Sequence, residues 1–148
     1  MIYGIAAWPG RIFRVSANGE LTLVHRLAID WPKGIVFDGK RFWFLESSGM
    51  ENRYGIHAID QQTGETVISV PSSDKKISGL AWGLGRFWVS NLAGHVFEID
   101  IDRAVEKKSL EAGAVNRFAG VYCQLGFGDG HLWGWDREAQ RLCKIKVR

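Results

Sequence analysis

Glu46, Asn91 and Asp136 stand at intervals of 45 residues, each three positions after a tryptophan. Carboxylate and amide oxygens in such a set suit a hard cation, Ca²⁺ or Mg²⁺. The same residue types also close strands and hold the backbone N–H groups of the turn that follows. Ala6, the counterpart of these positions near the N-terminus, brings no ligand. No cofactor is therefore expected, and Ca²⁺ is the ion the trio would take if it held one.

A second set comes from the longer connections between apolar runs: Asp30, Trp31 and Lys33, then Asp74 and Lys75, then Asn116 and Arg117. Binding residues are commonly carried on loops that a rigid scaffold holds in place, so these are expected to line a mouth. Trp31, before Pro32, offers a flat ring for stacking. The histidines His25, His57, His95 and His131 have no metal-ligand spacing and no Cys or Ser beside them, and a structural role is expected for each. Gly126, Gly128 and Gly130 form a G-x-G-x-G run, but no helix follows to make a phosphate loop of it.

Behind these side chains lies a repeat. Gly34 to Trp43 recurs as Gly79 to Trp88 and again as Gln124 to Trp133, with no slippage in the 45-residue period. Each copy reads as strand, tight turn, strand: an apolar run ending in Phe37, Trp82 or Phe127, a turn through Asp38-Gly39, Gly83-Leu84-Gly85 or Asp129-Gly130, then Phe-Trp or Leu-Trp. A third strand follows, with apolar residues three apart at Ile56 and Ile59, Val96 and Ile99, and Leu142 and Ile145. Fourth strands are expected at Glu65 to Val70 and at Ala104 to Leu110, set off by Gln61 to Gly64 and by Asp102-Arg103.

Short strands at a fixed period of this length are the mark of β-propeller blades. The expected fold is all-β, four antiparallel sheets of 3, 4, 4 and 3 strands, about 14 in all. The boundaries are a partial blade 1–29, blades 30–72 and 73–112, and a partial blade 119–148. The first piece has strands two, three and four, and the last has strands one, two and three. Those six strands are too many to share one four-stranded blade, so simple closure of the chain on itself does not fit. A ring completed by a second copy does, because open ends leave an unpaired strand and an uncovered apolar face. A four-bladed ring from one chain and a fragment of a longer propeller are the alternatives.

The run Gly-Leu-Ala-Trp-x-x-Gly-Arg-Phe-Trp-Val-Ser-Asn over 79–91, followed by Gly94 to Asp100, resembles blades of the six- and seven-bladed propellers that include plant-type glutamine cyclotransferases, gluconolactonase-like lactonases and streptogramin lyases. The resemblance extends over nearly the whole chain and implies the architecture, not a reaction. In the lactonase-like members a divalent cation sits on Glu, Asn and Asp near the channel, which is what it implies for Glu46, Asn91 and Asp136.

The composition fits a folded chain: 148 residues, 46% hydrophobic, seven Trp and eighteen Gly against three Pro. Periodicity assigns Trp43, Trp82, Trp88 and Trp133 to blade cores, leaving Trp8, Trp31 and Trp135 outside the pattern. A net charge of +3, with cations scattered among 16 acids, does not favour nucleic acid. No apolar run approaches the roughly 20 residues of a membrane span, and Met1-Ile2-Tyr3-Gly4 lacks a secretory start, so no membrane partner and a cytoplasmic location are expected. Cys123 and Cys143 fall on strands one and three of the last blade. A separation of about two 4.8 Å strand spacings exceeds the roughly 7 Å reach of a disulfide, which predicts two free thiols.

The functional expectation is a homodimeric binding or interaction module whose loop-rich face recognises a small molecule, a sugar or a protein segment. The competing expectations are a metal-dependent enzyme of the lactonase or lyase kind, and a truncated propeller piece without activity.

Overall fold

Hairpin turns, with strands buried on both faces in the two middle sheets, build the molecule strand by strand in a computed structural model, which describes residues 1–110, 121–146 and, as backbone, 115–117. The first sheet is β1 (Ile2–Ala6), β2 (Arg11–Val15) and β3 (Leu21–Arg26). The second is β4 (Pro32–Phe37), β5 (Arg41–Ser48), β6 (Arg53–Asp60) and β7 (Thr66–Pro71). The third is β8 (Ile77–Gly83), β9 (Arg86–Asn91), β10 (His95–Ile99) and β11 (Val115–Arg117), and the fourth is β12 (Tyr122–Gly128), β13 (His131–Asp136) and β14 (Arg141–Ile145). Every pairing is antiparallel between sequence neighbours, so the 3, 4, 4, 3 pattern read from the repeat is the one observed.

The repeat tryptophan anchors each hairpin. The Trp43 indole N–H donates to Asp38 Oδ2 at 2.6 Å, while Asp38 Oδ1 accepts from Lys40 N and Arg41 N. In the last sheet Trp133 donates instead to the Gly128 carbonyl at 3.2 Å. Trp88 Nε1 is buried with no hydrogen-bond partner among the described residues, and the cause is visible. Gly83 stands where blade two has Asp38, and a Cβ on Gly83 would overlap the Phe127 ring of the following blade. Close packing between blades thus excludes from Gly83 the side chain that pairs the indole in blade two.

The sheets stack face to face in chain order. Tyr3, Ile5 and Ile12 of the first meet Phe37, Phe42, Phe44 and Ile59 of the second, with Tyr3 edge-on to Phe42 at 4.7 Å. Trp43, Leu45, Ile56 and Ala58 on the opposite face of the second meet Leu80, Phe87 and Val89 of the third. Ala81, Trp88 and Val96 of the third meet Tyr122, Leu132 and Ile145 of the fourth. The second, third and fourth blades thus each have a front face, which carries the repeat tryptophan, and a back face that rests on the front of the blade before it; in the first blade Tyr3 takes the tryptophan's place on the front. Each large side chain so buried contributes about 1.5–3 kcal/mol.

One expectation fails. The fourth strand of the third blade is not Ala104 to Leu110: a helix, α1 (Ile101–Lys107), stands there, and the strand is β11, further along the chain. Asp100 caps α1 by accepting from Arg103 N, and Lys108 closes it in the left-handed region at φ 52. Ala104 is buried and Ile101 packs beside it in the seam between the second and third blades. Leu110 N then donates to the Pro71 carbonyl at 2.9 Å, tying this connection to blade two. The connection from strand three to strand four of this blade therefore carries a helix.

Cys123 and Cys143 are free thiols on β12 and β14, with β13 between them. No helix among the described residues is long and apolar enough to cross a membrane.

Candidate ligand site on the loop-rich rim

In an antiparallel blade the connections from strand two to three and from strand four to the next strand one leave by the same rim. Backbone hydrogen bonds lace them together there: Trp8 N to Asp30 O at 2.8 Å, Leu92 N to Lys76 O at 2.9 Å and Arg137 N to Val121 O at 3.0 Å. Asp30 and Trp31 lie on this rim, both exposed, and the Lys33 ammonium beside them donates to Ser47 Oγ at 3.3 Å. Asp74 accepts from Lys76 N with one oxygen and from the Asn91 amide with the other, the latter at 2.6 Å; Lys75 next to it is exposed. Asn116 and Arg117, expected on a loop, sit on β11 opposite Val96 and His95; their side chains lie outside the described residues.

Glu46, Asn91 and Asp136 are all buried at equivalent ends of β5, β9 and β13. Asn91 Oδ1 accepts from Ala93 N and His95 N, and Asp136 Oδ1 accepts from Glu138 N and Ala139 N, so both hold the turn that follows them. Among the described residues no group of three or more His, Cys, Asp or Glu side chains is placed to hold a metal ion. The trio's donors, as they stand, are directed to neighbours in their own blades and do not make a cation cage.

Glu46 differs from its counterparts. Its longer side chain places one oxygen 2.8 Å from Arg53 Nε and the other 3.0 Å from His57 Nε2, and Arg53 also contacts Glu51. Glu46 thus stands between a guanidinium and an imidazole of its own blade. His57 stacks on Phe44 at 5.7 Å between centroids. Burial pushes the His57 imidazole below its ordinary value; Glu46 opposes that shift and Arg53 adds to it. With Asn52, Tyr54, Ser69, Pro71 and Ser72 these residues line a cleft of about 310 Å³, at the low end of the roughly 300–1,000 Å³ of small-ligand sites.

Sequence reasoning gave His57 a structural role and missed this grouping. The available signal was its repeat position: His57 falls where the other blades carry Phe97 and Cys143, an ionisable ring in an otherwise apolar or thiol slot.

The architecture defines the class: these are β-propeller blades, and solved structures similar to it in shape are propeller-like. A nidogen/laminin complex matches with a TM-score of 0.61 and 10% identity over 95% of this chain and 54% of that one. A luciferin-regenerating enzyme matches at 0.58 and 14% over 90% and 46%, and U3-55K at 0.53 and 13% over 97% and 47%. At such identities the likeness is one of fold alone. This chain spans about half the length of the structures it matches. No protein-family model and no curated protein matches it.

Proposed function

We propose that the protein is a binding module in which two copies complete one propeller ring, and that the loop-rich rim, centred on the Glu46–His57 cleft, recognises a small molecule, a sugar or a protein segment. One observation carries the reading: the row of four stacked blades spans about half the length of each structure it resembles, and among the described residues the outward sheet faces at both ends of the row are uncovered. The rim supplies donors and acceptors together with the Tyr54 ring and Pro71, a mixture suited to ligands bearing hydroxyl or amide groups. Glu46 and Arg53 offset each other there and burial keeps His57 neutral, so the cleft has no large excess of charge to demand an ionic ligand.

Thermal shift against a panel of oligosaccharides and metabolites tests the binding claim, because a ligand held only by the folded state raises the melting temperature. A compound that stabilises the wild type but not Tyr54→Ala supports the cleft as the site. A flat response across the panel counts against it. Ca²⁺ and EDTA belong in the same plate: stabilisation by one and loss with the other would favour the lactonase-like enzyme reading over the binding module.

A further inference from the structure

The front and back faces of the blades give the bare ends a polarity. On the front of the second and third blades, Trp43 and Trp88 are 2% and 3% exposed because the following blade covers them. On the front of the last sheet no described residue does so. Trp133 is partly exposed there, Trp135 is 41% exposed and its cross-strand partner Leu142 is 62% exposed. Gly83 has the Phe127 ring against it, whereas its equivalent Gly128, like Gly126, has no described residue within 4 Å of where a Cβ would stand. Trp133, Trp135, Leu142 and the two glycines thus form a largely apolar surface, shared with Lys144 opposite Trp133, that no described residue covers.

At the other end of the row the first sheet shows the complementary face. Tyr3, Ile5 and Ile12 point into the second blade, so register puts Ile2, Phe13, Val15, Leu21 and Leu23 on the outer side together. Ile2, Leu21 and Leu23 are exposed. Among the described residues no front lies beneath this back face. One molecule therefore displays one bare front and one bare back, and stacking in this fold is always front to back.

Resting on the two-chain reading above, we infer that the occupant of each bare face is the opposite face of a second copy of this chain. The Trp133–Trp135–Leu142 front of one copy packs on the Ile2–Phe13–Leu21–Leu23 back of its partner, and the same seam repeats across a two-fold axis. A contact between two fronts would put like on like and leave both backs bare, whereas two front-to-back seams cover all four faces and close the row. Heterologous contacts that close in this way end in a ring and not a fibre.

Charge exchange across the seam tests the arrangement. Leu142→Glu and Leu23→Lys each alter an exposed position, so each single chain should fold with the circular dichroism of wild type. By light scattering the wild type should have twice the mass of one chain, and each variant alone should have the mass of one chain. An equimolar mixture should return to twice that mass, because one seam then pairs glutamate with lysine and the other is unchanged. A paired wild type with Leu23→Lys still paired, or with no recovery in the mixture, would overturn the front-to-back seam and leave the two-chain reading standing. A wild type with the mass of one chain would overturn both.

Discussion

Asp38 shows how much a single repeat position can carry. Partial burial works to raise its carboxyl, but the Trp43 indole and the amides of Arg41 and Lys40 outweigh that and hold it below the usual carboxylate range. A depressed folded value means the stabilisation is whole above the ordinary carboxylate range and is lost as pH falls through the folded value. Asp38→Asn should therefore cost about 1–2 kcal/mol in urea unfolding at neutral pH, and the gap from wild type should close in acid. His57 works the other way round. Its neutral form is favoured in the fold, so the unfolded chain takes up protons first, and stability should fall as pH drops below 6.5 towards the lowered folded value. An NMR titration of the His57 ring should give a midpoint below 6.5. At this scale the sequence was partly legible. Asn91 and Asp136 behave as strand-end caps, one of two roles their residue types allow. The Glu46–His57–Arg53 grouping was hidden because it depends on the register that sets Glu46 opposite Gly55 and on a loop that folds Arg53 back over it.

Among the elements, hairpins could be read directly because their turn residues and tryptophans recur in phase. The helix α1 could not, because a turn-like Asp102-Arg103 followed by apolar residues fits a strand as readily as a first helical turn. The better signal was local: Asp100 as a cap, with Ile101 and Ala104 three apart. Asp100→Ala should destabilise the chain by about 1 kcal/mol if the cap holds α1 in its seam, measured by chemical unfolding. Blade stacking gives a sharper contrast. Gly83→Ala pushes a methyl into the Phe127 ring and should cost about 1–3 kcal/mol, whereas Gly128→Ala meets open space within one chain. Equal penalties at these two equivalent positions, in dilute conditions where chains are separate, would contradict the stacking described.

For the whole molecule, the 45-residue period and the tally of strands foretold four sheets, since a repeat needs no tertiary information to be seen. The polarity of the faces was not visible in the sequence. It emerges once Trp43 and Trp88 are found covered and Trp133 and Trp135 are not, because exposure depends on a neighbouring blade and not on the residue itself. In the two-copy ring proposed above, the rim that gathers the cleft, Trp31 and Lys33 would take its final shape from that closure, and a ligand site on it would depend on how the row is completed. Light scattering on a sizing column at micromolar concentration tests this most directly. The two-copy ring predicts a mass of twice 16.6 kDa that persists on dilution, and a mass of 16.6 kDa across the range would contradict it.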